Sequence, residues 1–198
     1  SLRFDQAVTA AGSVSAVVTN GTLFSLSVEA PVNTPLFSVA SGVRVDFTNS
    51  GSLSGAMSAT GTLAINGEVT LSGDKTFAVI NLQGGTLRNA SGSSASASFT
   101  SLNTTSGSLA ATLKGSGDIY KSGSGTLSIS GLSSDYTGVL RIADGTVTVG
   151  AGYALGNKGN VTLDSGSALL QLMGNSITLG SLSGNGVAGA DVQCHNIH

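Results

Sequence analysis

The chain has 198 residues, 40% of them hydrophobic but only 9% charged and 5% aromatic, with 29 glycines, no tryptophan and a net charge of −2. A soluble domain ordinarily carries about 25% charged residues, so this composition argues against an ordinary globular enzyme and for an aliphatic β protein with a surface of Ser, Thr and Asn. The eight Lys and Arg are scattered singly, which leaves no basic patch for a nucleic-acid partner, and no apolar run approaches the roughly 18 residues of a membrane helix.

The start, Ser1-Leu2-Arg3-Phe4, has neither an initiator Met nor a signal peptide and reads as the beginning of a mature or excised piece. From Gly21 onward one phrase recurs: a small residue followed two places later by an apolar one. Its anchors are Gly21, Ser41, Gly61, Gly85, Gly107, Gly125, Gly145 and Gly166, spaced by 18 to 24 residues. Their apolar partners, Leu23, Val43, Leu63, Leu87, Leu109, Leu127, Val147 and Ala168, are the expected internal ladder if each repeat is one turn of a coil. Further alternating pairs supply the other strands: Val69 with Leu71, Phe77 with Val79, Leu140 with Ile142, Val161 with Leu163, and Ile177 with Leu179. Such alternation of small polar with aliphatic residues marks a strand with one buried face. The Ser-rich stretch from Ala90 to Thr100 reads as a loose surface loop between rungs.

No helical period is sustained, and glycine recurs too often for helix interiors. A repeat with two or three short strands cannot enclose a core alone, but stacked repeats can, with equivalent side chains of successive rungs above one another about 4.8 Å apart. The expected fold is therefore all-β, a single β-solenoid with rungs of about 20 residues over 1–190, followed by a frayed tail over 191–198. An antiparallel sandwich also fits short strands and frequent turns. It does not explain one phrase at a nearly fixed period.

The clearest copy of the phrase is KSGSGTLSISGLSSDYTGVLRIADGTVTVG, Lys121 to Gly150. Its Lys121, Gly123, Gly125, Thr126, Leu127, Gly131, Tyr136, Thr137, Gly138, Gly145, Thr146, Val147 and Gly150, followed by Ala154-Leu155-Gly156, resemble the passenger-associated repeat of bacterial autotransporters. Ser134 and Val139 depart from it, standing where that family usually has Asn and a second Gly. The resemblance is strong over 121–156 and covers passenger material, not the membrane-embedded translocator barrel. It implies a right-handed parallel β-helix, exported through the outer membrane by way of that barrel, and an extracellular or cell-surface location.

Candidate chemistry is sparse. Asp144 and Asp164, one repeat apart beside turn glycines, are the one pair that could serve as the stacked carboxylates of a polysaccharide-active β-helix, and the reading preferred for them is turn closure through their side chains. Leu163-Asp164-Ser165-Gly166 only echoes a serine-protease signature, and the two histidines are confined to the last four residues. Cys194, His195 and His198 form a compact set of metal-capable groups, placed where a frayed tail is expected, and the single cysteine excludes an internal disulfide. No cofactor is expected, and no catalytic residues are assigned. The expected role is structural: a stiff rod whose Ser, Thr and Asn side faces a host surface or glycan. The alternatives are a fibre subunit that self-associates end to end and, less favoured, a polysaccharide-active enzyme.

Overall fold

Within Thr126–Ile129, Thr126 is exposed while Leu127 and Ile129 are completely buried, and Gly145–Val149 repeats the pattern through Val147 and Val149. Both short runs turn their aliphatic side inward, and the two lie side by side as parallel neighbours, with Leu127 opposite Val147 and Ile129 opposite Val149. The described residues are built this way throughout. The structure, a computed structural model, describes residues 62–184 without a break, together with the strands Leu2–Phe4, Val8–Thr9, Val14–Ala16, Phe24–Val28, Val32–Asn33, Leu36–Val39, Val43–Phe47 and Asp191–Gln193.

The described residues are all strand and turn, coiled into a parallel β-solenoid of about six turns with rungs of about 21 residues. A first face runs from Leu2–Phe4 and Phe24–Val28 through Val43–Phe47, Glu68–Leu71, the ends of Lys75–Asn89 and Ser96–Ala110, Thr126–Ile129, Gly145–Val149 and Ala168–Gln171 to Asp191–Gln193. A second face stacks Val14–Ala16, Leu36–Val39, Thr62–Ile65, the middles of the two 15-residue strands, Asp118–Lys121, Val139–Ile142, Gly159–Leu163 and Leu179–Gly184. The third face begins with Lys75–Phe77 beside Ala97–Phe99 and then Thr112–Leu113, and a single bridge joins Gly115 to Tyr136.

The core is a set of vertical columns. Val69, Leu87, Leu109, Ile129 and Val149 form one, and Leu63, Ile80, Leu102, Ile119, Leu140 and Val161 another; each of these side chains is at most 1% exposed. At about 1.5–3 kcal/mol for each fully buried aliphatic side chain, these columns hold the rungs together.

The ladder expected from the recurring phrase is therefore split. Leu127 does stack on Val147, and Leu87 on Leu109. Leu109, however, pairs with Ile129 while Gly107 faces Leu127, and Val147 pairs with Leu170 while Ala168 faces Gly145. Leu63 belongs to the second face, beneath Ile80; the first-face residue of its turn is Val69. Val43 pairs with Phe24, and Leu23 lies outside the described residues. The physical reason is that both strands of a rung open on the same small-polar-apolar wording and successive rungs differ in length by several residues, so wording alone does not tell one face from another.

The stretch from Ala90 to Thr100 is also corrected. Only its beginning is a turn; Ser96–Ala110 is a strand, and Ala95, Ala97 and Phe99 are buried in the third face. Its inward residues are mostly alanine, too small to stand out against the serines between them. At the other end, Asp191–Gln193 pairs with Leu169–Gln171, which carries the first face three residues past position 190.

Candidate functional site

The motif from Lys121 to Gly150 has one buried cation at its centre. Lys121 ends the strand Asp118–Lys121 at an inward position, between Thr104 and Ile142 in a column otherwise occupied by Ile65, Leu82 and Leu163. It is fully buried. Its ammonium donates to the carbonyl oxygens of Ser122 at 2.8 Å, Asp144 at 2.9 Å and Gly123, so all three N–H donors are used. Burial pushes the ammonium below its ordinary pKa, and the Asp144 carboxylate opposes that shift.

The motif glycines make room for this arrangement. Gly123 and Gly145 both have positive φ, +67° and +71°. A Cβ on Gly145 would lie 2.5 Å from the Gly123 oxygen, 2.6 Å from that of Gly125 and 2.9 Å from the Lys121 nitrogen. One on Gly125 would meet Thr105 O and Ser106 Cβ at 2.8 Å. Asp144 closes the turn from outside, its Oδ1 accepting from the Gly145 N–H at 2.8 Å and from Ser167 Oγ at 2.6 Å. Those two bonds, the Ser167 one foremost, hold its carboxyl below the usual range.

Tyr136 anchors the opposite corner. Its ring is 2% exposed and packs tilted against Phe99 at a centroid distance of 6.3 Å, and its hydroxyl donates to Gly117 O at 2.8 Å. Burial, helped by Asp118, raises the phenol far above its ordinary pKa. Gly138 follows because a Cβ there would overlap both Gly117 O and the Tyr136 hydroxyl. The Thr137 N–H donates to Gly115 O at 2.8 Å, and its hydroxyl reaches the same oxygen at 3.3 Å. A residue that sequence reasoning passed over completes the corner: Ser133 is fully buried, accepts from the Leu113 N–H at 2.9 Å and donates to Gly131 O at 3.3 Å. Its neighbour Ser134, singled out as a departure, is exposed. Ser133 carried no signal beyond being one serine among many.

Thr126 and Thr146 face outward in register, above and below one another, while Leu127 and Val147 line the core. The repeat motif thus converges on two turns and a core column.

The carboxylate pair is not a cluster. Ile142 pairs with Leu163, which leaves Asp144 and Asp164 one position out of register, and Asp164 Oδ2 is held by Arg141 at 2.9 and 3.2 Å. Cys194, His195 and His198 lie outside the described residues, and among the described residues no three His, Cys, Asp or Glu are grouped as for a metal ion. What the surface does offer is a shallow depression of about 190 Å³ on the second face, lined by Asn81, Gln83, Asn103, Thr104, Thr105 and Ser122. No protein family, curated protein or solved structure matches the chain, so the resemblance to autotransporter passengers rests on the residues of the motif themselves.

Proposed function

We propose that the chain is a segment of a secreted or surface-displayed, autotransporter-like passenger: a rigid β-helical stalk with an adhesive side, exported through an outer-membrane translocator barrel. The observation that carries the reading is what the most distinctive stretch is used for. Lys121, Gly123, Gly125, Tyr136, Gly138 and Gly145 all act on turns and on close approach between rungs, which is the work of a scaffold. A solenoid whose rungs contact chiefly their neighbours can add them one at a time as the chain emerges from a pore, and each folded rung then opposes back-sliding. The 9% charge content suits passage of an extended chain.

The test is to fuse the chain ahead of a translocator barrel in a Gram-negative host and to measure its accessibility to protease on intact cells. The parent is expected at the surface, and Leu127→Asp, which breaks the stacking on Val147, is expected to be retained or degraded. Failure of the parent to reach the surface sinks the passenger reading; equal display of both sinks the role of folding in export.

A second reading, an end-to-end fibre, is favoured by Leu182. It stands on Val161 in an inward column yet is 50% exposed, and among the described residues its strand Leu179–Gly184 is paired on one side only. An open strand edge over exposed core invites a further rung, and head-to-tail stacking of that kind does not close. Filaments that lengthen with concentration would support it, whereas a concentration-independent monomer in sedimentation would remove it.

A further inference from the structure

On the second face the outward residues Asn81, Asn103, Tyr120 and Arg141 follow one another in register on successive rungs. Asn103 Nδ2 donates to Asn81 Oδ1 at 3.2 Å. That single bond leaves Asn81 Nδ2 as a donor and Asn103 Oδ1 as an acceptor, both without a partner among the described residues. They border the depression of about 190 Å³, whose lining side chains all end in a neutral amide or hydroxyl.

Three charges on the neighbouring rungs are engaged, Asp118 Oδ1 accepting from the Val139 N–H at 3.0 Å. The Lys121 ammonium, beside Ser122, is turned inward onto carbonyl oxygens, and Arg141 is paired with Asp164. The lining of the depression therefore offers hydrogen bonds and carries no charge of its own. It is smaller than the roughly 300–1,000 Å³ of sites for drug-sized ligands, which limits it to about one ring. Tyr120, 41% exposed, stands one rung from Asn103, about 4.8 Å along the ladder, and presents an aromatic surface with a polar tip. Amides that accept and donate, flanking hydroxyls and an adjacent aromatic ring match the adjacent hydroxyls and the apolar C–H face of a sugar.

We propose that the depression bounded by Asn81, Gln83, Asn103, Thr105 and Ser122, with Tyr120 beside it on the next rung as a stacking surface, binds one neutral pyranose ring, free or at the end of a glycan. This gives the adhesive stalk its ligand class and rests on that reading.

The test is saturation-transfer-difference NMR on the whole chain with the methyl pyranosides of galactose, glucose and mannose, and with a sialoside as the charged control. At least one neutral glycoside is expected to receive saturation on its ring protons. Asn103→Ala and Tyr120→Ala should each remove most of that signal while leaving the circular dichroism spectrum of the parent, because both side chains face outward. Agarose beads carrying the same sugar separate the two sources: retention identifies a glycan-borne ring, and signal without retention identifies the free sugar. The proposal is overturned if none of the three neutral glycosides gives a signal, if the signal survives undiminished in both variants, or if the sialoside is preferred. A chain displayed on cells yet silent toward sugars removes the binding site and leaves the stalk, whereas failure of display removes the passenger reading whatever the sugars do.

Discussion

Replacing Lys121 by Met keeps a stem of the same length and its place in the column between Thr104 and Ile142 but removes the terminal ammonium. Three carbonyl oxygens, of Ser122, Gly123 and Asp144, lose their donor. An acceptor left unsatisfied in the interior costs about 1–3 kcal/mol, but Gly123 is exposed and Ser122 and Asp144 are partly so, so water takes over part of the loss. The thioether buries a stem no larger than the already buried lysine methylenes, so burial changes little, while the desolvation that the ammonium suffers is avoided. The balance is a net destabilisation of about 2 kcal/mol, large beside the 5–15 kcal/mol of a typical domain.

Urea unfolding followed by circular dichroism measures it, with both midpoint and slope reported, because stacked rungs need not unfold in a single step. Native-state hydrogen exchange localises it: the amides of Asp118–Lys121, Thr126–Ile129 and Gly145–Val149 should lose protection before those of Gly159–Leu163. A Lys121→Met chain as stable as the parent or more so would refute the reasoning, for it would mean that desolvation of the ammonium outweighs its three bonds and that the motif lysine does not hold the turn.

Gly145 and Gly92 share nearly the same positive φ, +71° and +73°, but a Cβ at Gly92 meets nothing within 4 Å. Gly92→Ala should therefore cost only the backbone strain of about 1–2 kcal/mol, and Gly145→Ala clearly more, with thermal unfolding of the two variants giving the difference; equal losses would deny the crowding around Lys121. Tyr136→Phe should cost about 1–2 kcal/mol by orphaning Gly117 O. Because the folded phenol is raised, its contribution is complete below the unfolded value of 10.0 and is lost as the pH rises above it, so the decline in Tm above pH 10 should be shallower in the Phe variant than in the parent. Asp144 has the opposite sign: its folded pKa lies below 3.8, so its contribution is present above that value and is lost as the pH falls below it. Asp144→Asn should flatten the acid limb of a Tm-against-pH curve in part, since Asp74, held down chiefly by Ser96, contributes in the same direction; an unchanged limb would place Asp144 outside the folded network.

Period-two alternation and a recurring phrase determine local structure and the need for stacking, because a rung of this size has no core without its neighbours. The sequence alone was therefore enough for an all-β solenoid, for rungs of about 20 residues where the structure has about 21, and for the pairing of Leu127 with Val147. Register and face were decided only in three dimensions. Leu63 and Leu87 stand behind the same Gly-Thr wording, yet one lines the second face and the other the first; which column a leucine joins depends on where the preceding corner falls, and that is a property of the whole turn. The same holds for the chemistry. The motif marks Lys121 among the scattered cations but not what its ammonium does, and it passes over Ser133 altogether. Lys121 became a turn anchor because coiling brings Asp144 O beneath it from the next rung, and Ser133 became a buried partner because its hydroxyl meets the free N–H of Leu113, 20 residues earlier in the chain.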